Sequence, residues 1–143
     1  MSDSSPCVCT ALRKASRAVT RLYDDRLAAT GLTTTQFAVL RNLDRHGSLE
    51  LSRLADILVM DRTTLYRTLA PIERHGWITI EDGIKGRAKL AALTDAGRAI
   101  KHSATAAWAT TQAEIIDTIG ATQWQTLEEQ LRRLAETPLE RTA

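Results

Sequence analysis

Hydrophobic residues recur along most of this chain at intervals of three and four positions, the spacing that places side chains on one face of an α-helix. Near the start of the chain the pattern is carried by Leu12, Ala15, Val19, Leu22 and Leu27. It predicts a first helix over about residues 5–30, with Ser5 as its N-cap, Pro6 in its first turn and Gly31 at its end.

The next three helical segments include a predicted helix-turn-helix. A second helix should begin at Thr33, which has the spacing of a capping box with Gln36. A third, short helix carries its apolar face on Leu51, Leu54, Ala55 and Leu58. A fourth, residues 61–75, is capped by Asp61 and buries Leu65, Leu69 and Ile72. Pro71 is expected to kink this fourth helix without ending it.

The outer face of the fourth helix carries polar and cationic side chains, namely Arg62, Thr63, Thr64, Tyr66 and Arg67. Side chains of these types form hydrogen bonds with base edges and phosphates. Because an arginine offers two donors that match the two acceptors of guanine, we expect Arg67 to read bases together with the threonines and Tyr66. Arg62 is expected to contact phosphate. The alternative interpretation is an ordinary helix with a solvated outer face.

Two β-rich segments, 77–80 and 88–93, predict a hairpin after the fourth helix. Lys85 and Arg87 flank Gly86 at its tip. Long cations at such a tip can enter an electronegative minor groove or contact phosphates. A helix-turn-helix followed by a basic hairpin is a winged helix. The predicted fold class is therefore mainly α with a small β-wing.

Two further helices are predicted after the wing. One runs from Asp95 to about Ile119, with Thr94 as its cap, and the other starts near Thr122, which has capping-box spacing with Gln125. The apolar sides of these two helices and of the first helix need a partner. They either pack back on their own monomer or cover a second copy of the chain.

The order of these motifs resembles the MarR family of bacterial transcription regulators. The resemblance is carried by TTTQFAVLRNL, by LSRLADILVMDRTTLYRTLAPIERHGWI and by LTDAGRAI, and it covers roughly Leu12 to Leu134. It implies one domain over residues 1–143, with 33–93 as the winged helix-turn-helix. It also implies that the helices over 5–30 and 95–137 interlock with those of a second subunit.

The function that the resemblance implies is that of a homodimeric DNA-binding regulator, a repressor on a near-palindromic duplex. A small ligand at the dimer helices, or oxidation of a thiol, would release the DNA. The family commonly carries an aspartate two residues before the wing arginine, and Lys85 at that position removes an expected ion-pair partner of Arg87. The alternative hypothesis is a winged helix used only for dimerisation or protein contact. That alternative predicts a neutral wing and an apolar outer face, which Arg62 and Arg67 do not fit.

Charge is distributed unevenly along the chain and favours a polyanionic partner on one side. The net charge is +2, but residues 1–101 carry an excess of five positive charges and residues 102–143 an excess of three negative charges. No apolar run approaches the roughly 20 residues of a membrane span. No secretion leader is evident, so we expect a cytoplasmic protein. No glycine-rich phosphate loop and no nucleophile–base combination stands out, so neither an enzyme nor a cofactor is expected.

Cys7 and Cys9, near the start of the first predicted helix, form a second candidate site. The positive end of a helix and a nearby cation such as Arg13 favour the reactive thiolate. Cys9 stands at the same distance before the Thr-Thr-Gln stretch as the reactive cysteine of the organic-hydroperoxide-sensing branch of the MarR family. Of the tyrosines around that cysteine, only Tyr23 has a match here. Metal binding and a role as small buried apolar side chains are the alternatives.

Overall fold

Among the residues that the structure describes, most are helical and three short strands form a small sheet. The computed structural model describes residues 5–84 and 88–137. Within those ranges the order is α1 (Val8–Leu27), α2 (Thr34–His46), β1 (Leu49–Glu50), α3 (Leu51–Leu58), α4 (Arg62–Arg74), β2 (Ile78–Glu81), β3 (Leu90–Leu93), α5 (Asp95–Ile119) and α6 (Ala121–Glu136). The predicted fold class, mainly α with a small β-wing, is confirmed.

The three strands form one antiparallel sheet in the order β1-β3-β2. In the central strand, Ala91 pairs with Leu49 of β1 on one side and with Ile80 of β2 on the other. Strands β2 and β3 begin at Ile78 and Leu90, one and two residues later than the sequence pattern predicted. Through this sheet, the strand before α3 is hydrogen-bonded to the hairpin after α4. The sheet therefore connects the two ends of the helix-turn-helix.

One cluster of apolar side chains fills the centre of the winged helix. Its largest fully buried members include Leu27, Leu40, Leu43, Leu54, Leu65, Leu69, Ile72 and Ile78. Helix α4 buries all three residues of its predicted apolar face, and α3 buries Leu51 and Leu54 and partly buries Ala55 and Leu58. Burial of one such side chain stabilises the fold by about 1.5–3 kcal/mol. The core therefore fixes which face of α4 is turned outward.

The capping box at the start of α2 is confirmed. Thr33 Oγ1 accepts a hydrogen bond from the backbone N–H of Gln36, and the backbone N–H of Thr33 donates to Gln36 Oε1, both at 3.1 Å. Each side chain thus satisfies a backbone donor that the first helical turn leaves free.

Two other predicted caps are wrong. Helix α1 begins at Val8 with Cys7 as its N-cap, so Ser5 lies outside the helix. Helix α6 begins at Ala121 after Gly120, whose φ is 99°, so Thr122 lies inside the helix and not at its cap. In both cases the backbone enters the helix at a different residue from the one with the best capping side chain.

The chain divides into two compact units, one up to Trp108 and one from Ala109 onward. In the first unit, α1 buries only Leu27 and leaves Val8, Leu12 and Val19 exposed. In the second, α6 buries no side chain, and Leu127, Leu131 and Leu134 are 36–40% exposed. Over the ranges that the structure describes, no helix is long and apolar enough to cross a membrane.

Candidate nucleic-acid interface

The start of α4 is held by the predicted N-cap, Asp61. The backbone N–H of Thr64 donates to Asp61 Oδ1 at 2.7 Å. This hydrogen bond is the main cause that lowers the pKa of Asp61, and a second bond from the Thr64 hydroxyl and the charge of Arg67 act in the same direction. The cap is therefore charged at neutral pH, and it fixes the point at which α4 begins.

The side chains expected to read DNA all lie on the exposed face of α4. Arg62, Thr63, Thr64 and Arg67 are exposed, and Tyr66 is 44% exposed. Residues four apart on a helix are neighbours on its surface, so Arg62 lies beside Tyr66, and Thr63 beside Arg67. Thr64 differs from the others because its backbone N–H already donates to the cap Asp61.

Pro71 lies inside α4, and the helix continues past it to Arg74, as predicted. A proline has no N–H to donate to the carbonyl group four residues earlier, which here belongs to Arg67. The residues expected to read bases all precede Pro71 in the helix. The predicted kink stays a prediction.

Within the described residues, the wing places the cation of Lys89 beside this face. Lys89 Nζ lies 3.9 Å from Asp82 Oδ1, and both side chains are well exposed. The predicted contacts at the tip, Lys85 and Arg87, lie outside the described residues. Because the Lys89–Asp82 pair is long and solvated, it holds Lys89 only weakly.

A groove of about 570 Å³ runs between the first turns of α3 and α4 and the base of the wing. Its lining includes Ser52, Arg62, Tyr66, Asp82 and Lys89. The sequence pattern pointed to the arginine and the tyrosine but missed Ser52, Asp82 and Lys89. Only the folded arrangement brings these three residues beside α4, although the position of Ser52 in the first turn of α3 was a usable signal.

The end of α4 is fastened to the start of α5 by Thr94. Its hydroxyl donates to the carbonyl oxygen of Gly76 at 2.6 Å and accepts a bond from the N–H of Gly97 at 3.0 Å. Its backbone N–H donates to the carbonyl oxygen of Trp77 at 3.1 Å. The predicted capping role of Thr94 is confirmed, and the same residue links α5 to the turn after α4.

A second link joins α5 to the end of α2. Lys101 Nζ and Arg98 Nη1 each donate to a carboxylate oxygen of Asp44 at 2.9 Å. The hydrogen bond from Lys101, followed by that from Arg98, lowers the pKa of Asp44. The first two turns of α5 are thus held against the body of the winged helix.

The cysteines lie at the start of α1, and both are exposed. Cys7 is the N-cap and has an extended backbone, with φ −71° and ψ 123°. A hydrogen bond from the backbone of Thr10 lowers the pKa of Cys7, aided by the Thr10 hydroxyl and the Cys9 backbone. The sequence pointed to both cysteines, with Cys9 first, and the lowered pKa falls on Cys7. Among the described residues no group of three or more His, Cys, Asp or Glu could hold a metal ion.

Known proteins match both the sequence and this geometry. Residues 32–82 match the family model described as MarR family. The M. tuberculosis transcriptional regulator MosR, solved in complex with DNA, is 32% identical, with 92% of this chain and 95% of that chain covered and a TM-score of 0.84. A probable transcriptional regulator from Pseudomonas aeruginosa is 27% identical over 89% of this chain and 96% of that chain, with a TM-score of 0.79. No curated protein matches the sequence.

A more distant structure shares the fold. A mutant MarR from E. coli, complexed with operator DNA, is 22% identical over 89% of this chain and 92% of that chain, with a TM-score of 0.79. The fold and the exposed face of α4 define a winged-helix, DNA-binding transcription regulator. With the similarity to MosR extending over nearly the whole chain, the protein belongs to the MarR family.

Proposed function

We propose that the protein is a homodimeric, sequence-specific repressor that acts on DNA in the cytoplasm. The observation that carries the proposal is the outer face of α4, where Arg62, Thr63, Tyr66 and Arg67 are exposed. The helix behind them is capped at its start and packed into the core along its opposite face. A fixed helix that presents hydrogen-bonding side chains is what recognition in the major groove requires.

Each side chain on this face has a distinct proposed role. Arg67 offers paired donors to the O6 and N7 atoms of a guanine, a contact worth about 1–3 kcal/mol of discrimination. Thr63 and Tyr66 bond neighbouring base edges. Arg62, in the first turn and beside the groove, is suited to a phosphate. Thr64, whose backbone N–H donates to Asp61, is proposed to read a base through its hydroxyl.

The wing is proposed to contact the flanking minor groove or its phosphates through Lys85 and Arg87. Lys89 supports this role, because it lies at the base of the wing and is held only by a long ion pair. Cations in a narrow minor groove are favoured by its negative potential. An interface built on α4 alone would lack this second, less sequence-dependent component.

The proposed dimer rests on the apolar side chains that α1 and α6 leave exposed. Three large apolar residues of α1 and three of α6 are at least 36% exposed. Covering such stripes with a second copy removes apolar surface from water, which favours association. A two-fold dimer then presents two copies of α4 to two half-sites, about 10–10.5 base pairs apart.

DNA release is proposed to follow thiol oxidation or ligand binding. Cys7 and Cys9 are exposed, and the hydrogen bonds at Cys7 favour the thiolate, the form that peroxides attack. Oxidation of either thiol to a sulfenic acid, or formation of an intersubunit disulfide, changes the start of α1. This helix is proposed to form part of the dimer interface. A small ligand that prefers one of two dimer geometries has the same effect.

The decisive experiment selects binding sites from random duplex DNA with the full-length protein. We expect an inverted repeat whose half-sites are about one helical turn apart. Failure to enrich any sequence would count against sequence-specific recognition. The reaction is repeated with peroxide to test release.

Arg67 then serves to test the proposed base reading. Arg67→Ala should cost roughly 1–3 kcal/mol and relax selectivity at one position in each half-site. Arg67→Lys is the matched control, because it keeps the charge but loses the two-pronged donor. It should restore phosphate-type affinity without restoring selectivity. An equal loss on all sequences with alanine, and full recovery with lysine, would reassign Arg67 to a phosphate contact.

A further inference from the structure

The turn between α3 and α4 contains the only non-glycine residue with positive φ in the described ranges, Val59, with φ 53° and ψ 49°. Its N–H donates to the carbonyl oxygen of Asp56 at 3.2 Å, and the N–H of Met60 donates to that of Ala55 at 2.9 Å. This pair of bonds forms the Schellman motif, in which the left-handed residue is usually glycine. A β-branched side chain at such a position strains the backbone.

The side chain of Val59 gains little from the protein in return. It is 74% exposed, so it contributes almost nothing to the core. Glycine or asparagine would fit the left-handed backbone with less strain. Valine at this position is therefore unfavourable for the free protein on two grounds, backbone conformation and solvent exposure. Strain of this kind often occurs at functional sites, where the side chain serves an interaction outside the fold.

The location of Val59 suggests what that interaction is. Val59 lies two residues before the cap Asp61 and three before Arg62, so along the chain it is within about 7 Å of Asp61 and about 11 Å of the first residue of α4. Elsewhere in the winged helix, large apolar side chains are exposed at Tyr66 of α4 (44%), at Ile84 of the wing (80%) and at Leu90 of β3 (36%). Unlike the exposed residues of α1 and α6, these residues lie on α4 and the wing, the elements proposed to contact DNA, and Val59 lies in the turn that leads into α4.

We infer that the Val59 side chain makes an apolar contact with the operator, either with the methyl group of a thymine, which adds sequence specificity, or with the C–H groups of a deoxyribose, which adds affinity on any sequence. This inference rests on the proposed function, because it requires α4 to enter the major groove. Apolar side chains contact the thymine methyl group at the groove edge. The contact removes both apolar surfaces from water, which stabilises the complex but not the free protein.

Three variants of the full-length protein separate strain from contact. Val59→Gly and Val59→Asn both relieve the strain and remove the apolar side chain, and asparagine keeps a side chain of similar size on a less flexible backbone. Val59→Ile retains both the strain and the apolar group. We expect glycine and asparagine to raise the melting temperature by about 3 °C. They should weaken binding to the duplex selected by the wild type by about fivefold per half-site, or about 1 kcal/mol. Isoleucine should bind within about twofold of wild type.

Opposite effects on stability and binding are the distinctive result. Glycine and asparagine variants that bind as tightly as wild type would overturn the inference, and so would variants that are no more stable than wild type. Replacing each thymine of the duplex by uracil removes one methyl group at a time. If wild type binds the duplex more weakly when one particular thymine is replaced by uracil, and Val59→Asn binds both duplexes equally, the contact is with the methyl group of that thymine. A loss with Val59→Asn that no uracil substitution changes identifies the sugar. Failure of wild type to select any duplex would refute the proposed function instead.

Discussion

Replacing Gly97 by alanine tests how tightly the start of α5 is packed against the turn after α4. A Cβ atom at this position would overlap the carbonyl oxygen of Trp77, and it would lie 2.8 Å from the carbonyl carbon and 3.0 Å from Leu93 Cδ1. The Trp77 oxygen is also the acceptor for the N–H of Thr94, at 3.1 Å. Since the obstructing atoms belong to the backbone, a side-chain rotation cannot make room.

The expected magnitude combines three effects. Overpacking of a tight contact costs about 1–3 kcal/mol. Displacing the Trp77 carbonyl weakens one hydrogen bond, which costs about 1 kcal/mol. Alanine recovers about 1 kcal/mol through its higher helix propensity. We therefore expect Gly97→Ala to lower the free energy of unfolding by about 2 kcal/mol, where propensity alone would raise it by about 1 kcal/mol.

Urea unfolding followed by circular dichroism measures this difference, at one fixed protein concentration because dimerisation contributes to stability. Ala99→Gly is the matched control, an exposed position in the same helix where glycine should cost about 1 kcal/mol. A Gly97→Ala variant that is as stable as wild type, or more stable, would refute the proposed close contact between α5 and the Trp77 carbonyl.

Three further predictions concern the wing, the thiols and pH. Replacing Lys85 and Arg87 together by alanine should weaken binding across sequences and lower the salt dependence of affinity, and an unchanged slope would remove the wing from the interface. The operator affinities of wild type, Cys9→Ser and Cys7→Ser should each be measured before and after treatment with organic hydroperoxide, together with the intact mass of each protein. If all three proteins keep their affinity while the mass shows that wild type is oxidised, oxidation of the thiols does not release the DNA. Because the folded-state pKa of Asp44 is lowered, its contribution to stability is present above the ordinary aspartate pKa of about 3.9 and is lost as pH falls through the folded value. Asp44→Asn should therefore unfold at lower urea concentration than wild type at neutral pH, and the gap should close in acid; a gap that persists below that range would argue against the ion pairs as its cause.

The sequence predicted α4 well because several independent signals agree there. Asp61 supplies the cap, three apolar residues supply the buried face, and the polar positions between them are left exposed. The capping box at Thr33 succeeded for the same reason, since it precedes a strong apolar stripe. Local capping signals without such support, at Ser5 and Thr122, did not decide where α1 and α6 begin.

Other features depend on contacts that no local pattern contains. Valine rarely adopts a left-handed backbone conformation, so the sequence gives no sign of the positive φ at Val59. That conformation is seen only in the folded turn between α3 and α4. Gly97 reads as an ordinary helical glycine until the Trp77 carbonyl is placed against it. The groove that brings Lys89 to α4 likewise requires the sheet to be assembled.

The central claim, sequence-specific DNA recognition, is tested most directly by the affinity ratio between the selected inverted repeat and a shuffled duplex of equal composition, measured from low to moderate salt. We expect the inverted repeat to bind about a thousandfold more tightly, or better, at physiological salt. Both affinities should fall steeply as salt rises, because bound cations release counterions from several phosphates. Equal affinities for the two duplexes, or a dissociation constant that does not change with salt, would contradict this account.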